Sequence, residues 1–306
     1  MRGFNRIQFS SLVAVSALFG GSQALWGSLI YERDLSNATG TYVNGINLPE
    51  PNNRSNVDWG SGPDSTSGYD IVGDSFSFAG GASIGSITVY EVANTTCANN
   101  AACQTPPAGS APTSEFSSIN LFTSLYSGGS DLTTLNEVPS SNLVGGTYSS
   151  VQTFYPTGVS YEGSTGLYHP IYALTFTFIN PLIATAGVQE AFAVDGIASS
   201  TSNSGTNTLF LAAVNAPLAV ASGAIENGAD GEYIYYNMAN QTATSTINPA
   251  GFPFFCDSGN AAECGGWDKS SDINVQINGT LLPEPGTVVL SLLGILAMAS
   301  RLRRRV

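Results

Sequence analysis

His169 is the single histidine of the chain, and it is therefore the only imidazole that a nucleophilic enzyme built on this sequence could use. A serine becomes a nucleophile when a nearby base accepts its proton, so any Ser-His-Asp arrangement would need this residue. It precedes Pro170 in GLYHPIYALTF and leads into an apolar run. We therefore interpret His169 as a structural or surface histidine.

Carboxylates are the other candidates for catalysis, because one acid and one nucleophile or base are enough to cleave a glycoside. The sequence lacks an E-x-D-x-x-E-like cluster that would set such acids on one strand face. We predict no enzyme and no catalytic residue, and a secreted glycan hydrolase stays as the alternative. The carboxylates considered are Asp70, Asp74, Glu91, Glu162, Glu190 and Asp195.

Oxygen-rich turns give a weak signal for calcium. The string NGADGE places Asn227, Asp230 and Glu232 among turn glycines, and hard cations take such oxygen ligands. Asp64 and Asp70 flank a second loop of the same kind. Neither matches EF-hand spacing, and clusters of Asn, Asp and Gly are most often plain turns. We predict no cofactor, with a structural Ca²⁺ at Asn227, Asp230 and Glu232 as the alternative.

Several aromatic residues could stack against sugars in an exported protein. Tyr233 and Tyr235 share one face of a predicted strand, so the simpler interpretation is that they fill the core or cover a sheet edge. The other members of this set are Tyr236, Trp59 and Trp267.

The charge distribution excludes one class of partner. Acidic residues outnumber basic ones by 22 to 9, and between residues 25 and 282 only Arg33, Arg54 and Lys269 are basic. Such a body repels phosphate backbones, so we predict no nucleic-acid partner.

The N-terminus has the three parts of a secretory signal in order. Arg2 and Arg6 precede the apolar run 12–21, and Ser22 and Ala24 supply the small residues at −3 and −1 that signal peptidase needs. Residues 1–24 are therefore predicted to be a cleaved signal peptide.

The four cysteines agree with export. They permit three pairings, and we favour the local pairs Cys97–Cys103 and Cys256–Cys264 because each brackets one polar loop. Loops this short contribute about 2–3 kcal/mol each in the chain-entropy model. A zinc site is the alternative, although spacings of five and seven residues differ from the usual C-x2–4-C.

Hydrophobic periodicity is strand-like through the body of the chain. Phe76 and Phe78 alternate with serines, and Leu174, Phe176 and Phe178 alternate with threonines. Short alternating runs broken by Gly, Asn, Ser and Pro indicate antiparallel sheets with one buried face. We predict an all-β fold for residues 25–282, a single large two-sheet antiparallel β-sandwich of jelly-roll type. The Ser/Gly/Thr-rich stretches 60–68, 104–118 and 199–206 are predicted to be long surface loops.

The string LPEP occurs twice, at Leu48–Pro51 and at Leu282–Pro285. Polar residues follow the first copy, which we interpret as a turn between early strands.

An uncharged apolar stretch from 288 to 299 follows the second copy and predicts a short transmembrane helix. Together with the flanking Thr287 and Ser300 the segment has 14 residues, which as a helix would span about 21 Å. This is less than the ~30 Å of hydrocarbon and suits a transient stop more than a permanent anchor. The basic residues that end the chain are held in the cytoplasm by the positive-inside rule: Arg301, Arg303, Arg304 and Arg305.

This C-terminal element closely resembles the PEP-CTERM sorting signal, in which Pro-Glu-Pro, an apolar helix and an Arg-rich tail follow one another at the terminus. Residues 283–306 carry the resemblance, with Pro283, Glu284 and Pro285 as the motif. It implies recognition by exosortase, a membrane-embedded transpeptidase of Gram-negative bacteria, and a link to exopolysaccharide or biofilm. The string DSFSFAGGASIGSITVYEVA also resembles a strand pair of sandwich domains in that family. The sortase signal is a rival, but Pro285 occupies the position where sortase needs threonine.

The resemblance implies an exported surface or extracellular-matrix protein, in transient contact with the inner membrane and then processed near Pro283–Pro285. We expect a structural or adhesive role through contact with exopolysaccharide. A sugar- or calcium-binding module on the same sandwich is an alternative, and so is a membrane-anchored protein without processing.

Overall fold

The computed structural model describes residues 27–33, 35, 54–59, 70–126, 135–155, 158–164, 167–198, 209–215, 233–237, 246–247, 254–256 and 271–282. Within these ranges the chain forms two antiparallel sheets, one additional strand pair and short helical turns. The two large sheets share one hydrophobic core. The predicted all-β sandwich with two antiparallel sheets is therefore confirmed.

The front sheet contains eight strands, in the order β1-β17-β4-β10-β7, with β12 joining β4 to β2 and β16. Strand β4 is its centre: β10 lies on one side, and β17 and β12 share the other. The front strands are β1 Ser28–Arg33, β2 Arg54–Trp59, β4 Ala82–Val92, β7 Ser149–Thr153, β10 Ile171–Ala184, β12 Leu209–Asn215, β16 Ser271–Ile273 and β17 Val275–Leu281.

The back sheet contains seven strands in the order β14-β6-β5-β11-β3-β13-β15. Its strands are β3 Asp70–Ser77, β5 Phe116–Thr123, β6 Leu135–Glu137, β11 Gln189–Ala198, β13 Tyr233–Asn237, β14 Thr246–Ile247 and β15 Phe254–Cys256. The remaining elements are the β8–β9 hairpin (Tyr161–Ser164 and Leu167–His169), the helical turns α1 Asn100–Cys103 and α2 Pro112–Glu115, and 3-10 turns at Ser140–Asn142 and Val144–Gly146.

The core lies between the sheets and follows the two-residue period of the sequence. Leu174, Phe176 and Phe178 of β10 point inward and are fully buried. On the outer face Thr175 Oγ1 lies 2.9 Å from Thr88 Oγ1 of β4. Burying each large apolar side chain stabilises the fold by about 1.5–3 kcal/mol, so the inner faces of the long strands account for most of the stability.

A buried ion pair joins three segments that are far apart in sequence. Arg33 Nη1 donates to Asp74 Oδ2 at 2.7 Å, and its Nη2 donates to the carbonyl oxygen of Ser75 at 2.7 Å. The backbone amides of Ser75 and Ile273 donate to the same carboxylate at 2.6 and 2.7 Å. Arg33 and Asp74 are 0% and 1% exposed. Strands β1, β3 and β16 are therefore connected inside the sandwich.

The first and last strands of the described chain are neighbours. Strand β17 lies between β1 and β4, with Ser28 opposite Gly279 and Arg33 opposite Val275. A Cβ atom on Gly27 would overlap the backbone of Gly279, so glycine permits this close approach. Both ends of the folded body consequently lie on adjacent antiparallel strands.

In the described part of the chain, no helix is long and apolar enough to cross a membrane. The predicted transmembrane segment between 287 and 300 lies outside the described residues, as does the first LPEP string.

Candidate functional site

His169 connects the β8–β9 hairpin to the front sheet. Its Nδ1 lies 2.8 Å from the carbonyl oxygen of Ala93, just after β4, and the ring packs edge-on against Tyr161. Because a carbonyl only accepts, Nδ1 carries the proton. Burial lowers the pKa of His169, although the bond to Ala93 opposes the shift. This geometry is that of a structural histidine.

The carboxylates considered for catalysis occupy different surroundings. Asp74 points into the core from β3 and binds Arg33. Glu190 accepts a hydrogen bond from Ser124 Oγ at 2.7 Å. Asp195 lies opposite Asn120 on the outer face of the back sheet, where burial raises its pKa to about 7 and the charge of Glu137 adds to the shift. The structure therefore does not bring Asp74 and Asp195 to one face, and the side chains of Asp70 and Glu162 lie outside the described set.

A serine motif in the sequence has no catalytic geometry. Residues Gly81–Gly85, GASIG, match G-x-S-x-G, which on a strand-to-helix turn would expose a nucleophile. Here Ser83 lies within β4 and pairs with Ile183 and Thr280 on its two neighbouring strands. The serine of the motif therefore lies within a strand, and not on a strand-to-helix turn.

An open cleft of about 470 Å³ lies where the turn after β5 meets the distal part of β10. Strand β10 bulges between Thr177 and Leu182, so the intervening residues leave the regular ladder and form one wall. Tyr126 also lines the cleft, and its carbonyl oxygen accepts a hydrogen bond from Asn136 Nδ2 at 3.0 Å. Sequence patterns missed this cleft because the bulge is set by tertiary packing.

The side chain of Asn142 stabilises the bulge by forming two hydrogen bonds with the backbone of Asn180, as a neighbouring strand would. The Nδ2 atom of Asn142 donates to the carbonyl oxygen of Asn180 at 3.2 Å, and the amide of Asn180 donates to Asn142 Oδ1 at 2.8 Å. Leu143 also forms an isolated bridge to Phe178. These contacts hold the wall in place without a ligand, which lowers the cost of ordering it on binding.

The lining combines an aromatic ring, hydroxyl and amide groups, and aliphatic side chains. None of the described residues around the cleft is a carboxylate or a cation. The volume falls within the ~300–1,000 Å³ typical of small-molecule sites. Such a surface suits a neutral ligand with alternating apolar and hydroxylated faces. The lining residues that matter here are Tyr126, Ser141, Asn142, Asn180, Leu182 and Ile183.

The predicted site residues fall partly on the described chain. Cys97 and Cys103 form a disulfide that closes the loop containing α1. Cys256 ends β15, whereas Cys264 lies outside the described residues, so the second pairing stays a prediction. Also outside are the signal-cleavage residues Ser22 and Ala24, the motif Pro283–Pro285, the four terminal arginines, and the calcium candidates Asn227, Asp230 and Glu232.

The aromatic candidates are described only as backbone. Tyr233, Tyr235 and Tyr236 lie on β13 in the back sheet, and Trp59 ends β2. Trp267 lies outside the described residues.

The described residues hold no cluster of three or more His, Cys, Asp or Glu side chains arranged to bind a metal.

Comparison with models of protein families, with curated proteins and with solved structures finds no match to this chain.

Proposed function

We propose that this protein is an exported β-sandwich with a structural or adhesive role, which contacts a neutral exopolysaccharide through the cleft at Tyr126 and Asn180. The observation that carries the proposal is the lining of that cleft, an aromatic ring beside hydroxyl and amide groups in a charge-free wall. Successive strands repeatedly change sheet along the chain, which supports the finer interpretation of the sandwich as a jelly-roll type.

A polysaccharide fits this lining for chemical reasons. Sugar rings present C–H groups on one face, which pack on an aromatic ring, and hydroxyls at their edges, which pair with amide and hydroxyl groups. The carboxamide of Asn180 and the hydroxyl of Ser141 can each donate and accept. Because Asn142 fixes the backbone of Asn180, these groups are positioned before the ligand arrives.

Processing at the second LPEP string completes the proposal. An exosortase-type transpeptidase would cleave near Pro283–Pro285 while the segment 287–300 forms a short helix in the inner membrane. The amide of Leu282 donates to the carbonyl oxygen of Gly81 at 2.7 Å, so the ordered sandwich reaches the residue before the motif. The motif follows this residue directly in the sequence. The protein would end at the cell surface or in the extracellular matrix.

Retention on immobilised exopolysaccharide from the native host tests the cleft. We expect Tyr126→Ala and Asn180→Ala to lose retention at least tenfold, and Tyr126→Phe to keep most of it because the ring remains. Tyr168→Ala, a half-buried tyrosine of the hairpin, serves as the matched control and should bind as the unmodified protein does. Equal retention of Tyr126→Ala and the unmodified protein would refute the cleft. Release of soluble sugars would favour the hydrolase instead.

The intact mass of the protein recovered from the host tests the processing independently. The expected mass lacks residues 1–24 and the tail after the motif. A chain that still ends at Val306 would refute exosortase processing, whatever the outcome of the glycan experiment.

A further inference from the structure

Glu91 is a fully buried carboxyl group that no described residue satisfies. It lies on the inner face of β4, continuing the inward series of Ile87 and Val89, with Tyr172 opposite it on β10 and Leu211 opposite it on β12. The group is 0% exposed, and neither carboxylate oxygen has a hydrogen-bond partner. Buried polar groups of folded proteins are nearly always satisfied, so the carboxyl group of Glu91 calls for a physical explanation.

The hydroxyl group of Tyr172, the residue opposite Glu91 on β10, cannot donate a hydrogen bond to Glu91. Ser110 Oγ donates its single proton to the carbonyl oxygen of Pro107 at 2.8 Å. The 3.0 Å hydrogen bond between Ser110 Oγ and the Tyr172 hydroxyl must then use the proton of Tyr172. Tyr172 therefore has only lone pairs left and cannot donate to Glu91.

A second buried carboxylate lies at the same end of the sandwich. Glu115, at the end of α2, is 5% exposed and accepts hydrogen bonds from the amide of Asn94 at 3.1 Å and from the amide and hydroxyl of Thr95 at 3.3 and 3.0 Å. Asn94 and Thr95 directly follow β4, the strand that carries Glu91. Burial raises the pKa of Glu115, and these donors oppose the shift because they favour the ionised form.

The local electrostatics show how poorly the site tolerates two negative charges. Burial raises the pKa of Glu91 well above its ordinary value, and the charge of Glu115 raises it further. Burial also raises the pKa of Tyr148 to about 12, and Glu91 adds to that shift. The titratable groups facing Glu91 are thus Glu115 from α2, Tyr172 from β10 and Tyr148 before β7, while β12 contributes Leu211.

Basic side chains that could compensate this charge are scarce. Between residues 25 and 282 the sequence contains three basic residues, Arg33, Arg54 and Lys269. Of these, the one whose side chain the structure describes, Arg33, is bonded to Asp74. Among the described side chains, none therefore brings a positive charge to Glu91.

We propose that Glu91 and Glu115 bind a Ca²⁺ ion at this end of the sandwich, with the hydroxyl oxygens of Tyr172 and Ser110 and with water as further ligands. All of these ligands are oxygens, as hard cations require. Ca²⁺ accepts irregular oxygen cages, whereas Mg²⁺ demands near-octahedral geometry and keeps its waters. The site is distinct from the glycan cleft and does not depend on it.

Calcium titration of the purified, EDTA-treated protein at pH 8 tests the proposal. With a dissociation constant near 1 mM, common for extracellular sites, 10 mM CaCl₂ should raise Tm by about 3–6 °C. MgCl₂ should give a smaller shift. Glu91→Gln should abolish the calcium-dependent shift. The matched control Glu190→Gln, which alters a buried glutamate bound to Ser124, should keep it.

Two results would overturn the proposal. One is a Glu91→Gln variant that responds to calcium as the unmodified protein does. The other is the absence of any calcium-dependent shift or binding heat in the unmodified protein, which would make Glu91 a neutral acid. If Glu91→Gln does not fold, the unmodified protein still decides the question.

Discussion

Replacing Arg33 with methionine should destabilise the sandwich by about 3–5 kcal/mol, because removing one partner leaves an uncompensated charge in the interior. Methionine has a similar length and fills most of the same space. Asp74 would keep the amides of Ser75 and Ile273 but lose the guanidinium, and the carbonyl oxygen of Ser75 would lose its donor. For a body of this size the loss corresponds to about 6–20 °C in Tm.

The cost of this substitution should depend on pH. Burial raises the pKa of Asp74 from 3.8 to about 6, and Arg33 and two backbone amides oppose the shift. A carboxyl group whose pKa is higher in the folded state contributes most to stability below pH 3.8, and it loses that contribution as the pH rises through about 6. Without Arg33 the folded pKa rises further, so Arg33→Met should cost much more at pH 8 than at pH 5. Urea unfolding at both pH values measures the difference.

The double variant Arg33→Met/Asp74→Leu is the control. Replacing both members of a buried ion pair with apolar groups is often neutral or stabilising, so the double variant should recover most of the lost stability. A single-variant cost that is the same at pH 5 and pH 8, or a double variant no more stable than Arg33→Met, would refute the reasoning.

Three further predictions concern stability and use urea unfolding. Phe176→Ala should cost about 3–5 kcal/mol, because a fully buried ring leaves a cavity between the sheets; a cost below 1 kcal/mol would contradict the packing. Gly73→Ala should cost about 3 kcal/mol, because its Cβ atom would overlap the backbone of β11 at Phe192; near-neutral behaviour would argue against that strand pairing. Removing the Cys97–Cys103 disulfide by double alanine substitution should lower the free energy of unfolding by about 2 kcal/mol, because the two cysteines are only 6 residues apart in sequence. The sandwich should still fold. Loss of the fold would show that the bond does more than fix a loop.

Alternation along the strands made much of the fold predictable. Leu174, Phe176 and Phe178 point inward as their two-residue period indicates, and Phe76 and Phe78 of the other long apolar run are also buried. The local pairing expected for the CANNAAC loop matches the observed disulfide. These features depend on neighbours in sequence, which a single chain displays directly.

Features set by distant contacts were not predictable. The stretch 104–118, expected to be a surface loop, contains the buried Ser110, the buried Glu115 of α2 and the start of β5. Its composition resembles a loop, but hydrogen bonds from residues after β4 draw Glu115 inward. The buried position of Glu91 could be read from the sequence, because Glu91 continues the two-residue period of Ile87 and Val89 in β4. The same pattern does not show which side chain from another strand lies beside it.

The pairing of β1 with β17 also determines which end of the body a tether at either terminus would hold. Because Ser28 lies opposite Gly279 on an antiparallel strand, the chain enters the sandwich and leaves it at the same end. A tether through either terminus would therefore hold the molecule by that end. Ile183, which lines the cleft, pairs with Ser83 near the start of β4, whereas the disulfide loop and Glu91 lie toward the other end of that strand. The cleft would then lie at the tethered end, and the disulfide-bonded end would point away from it.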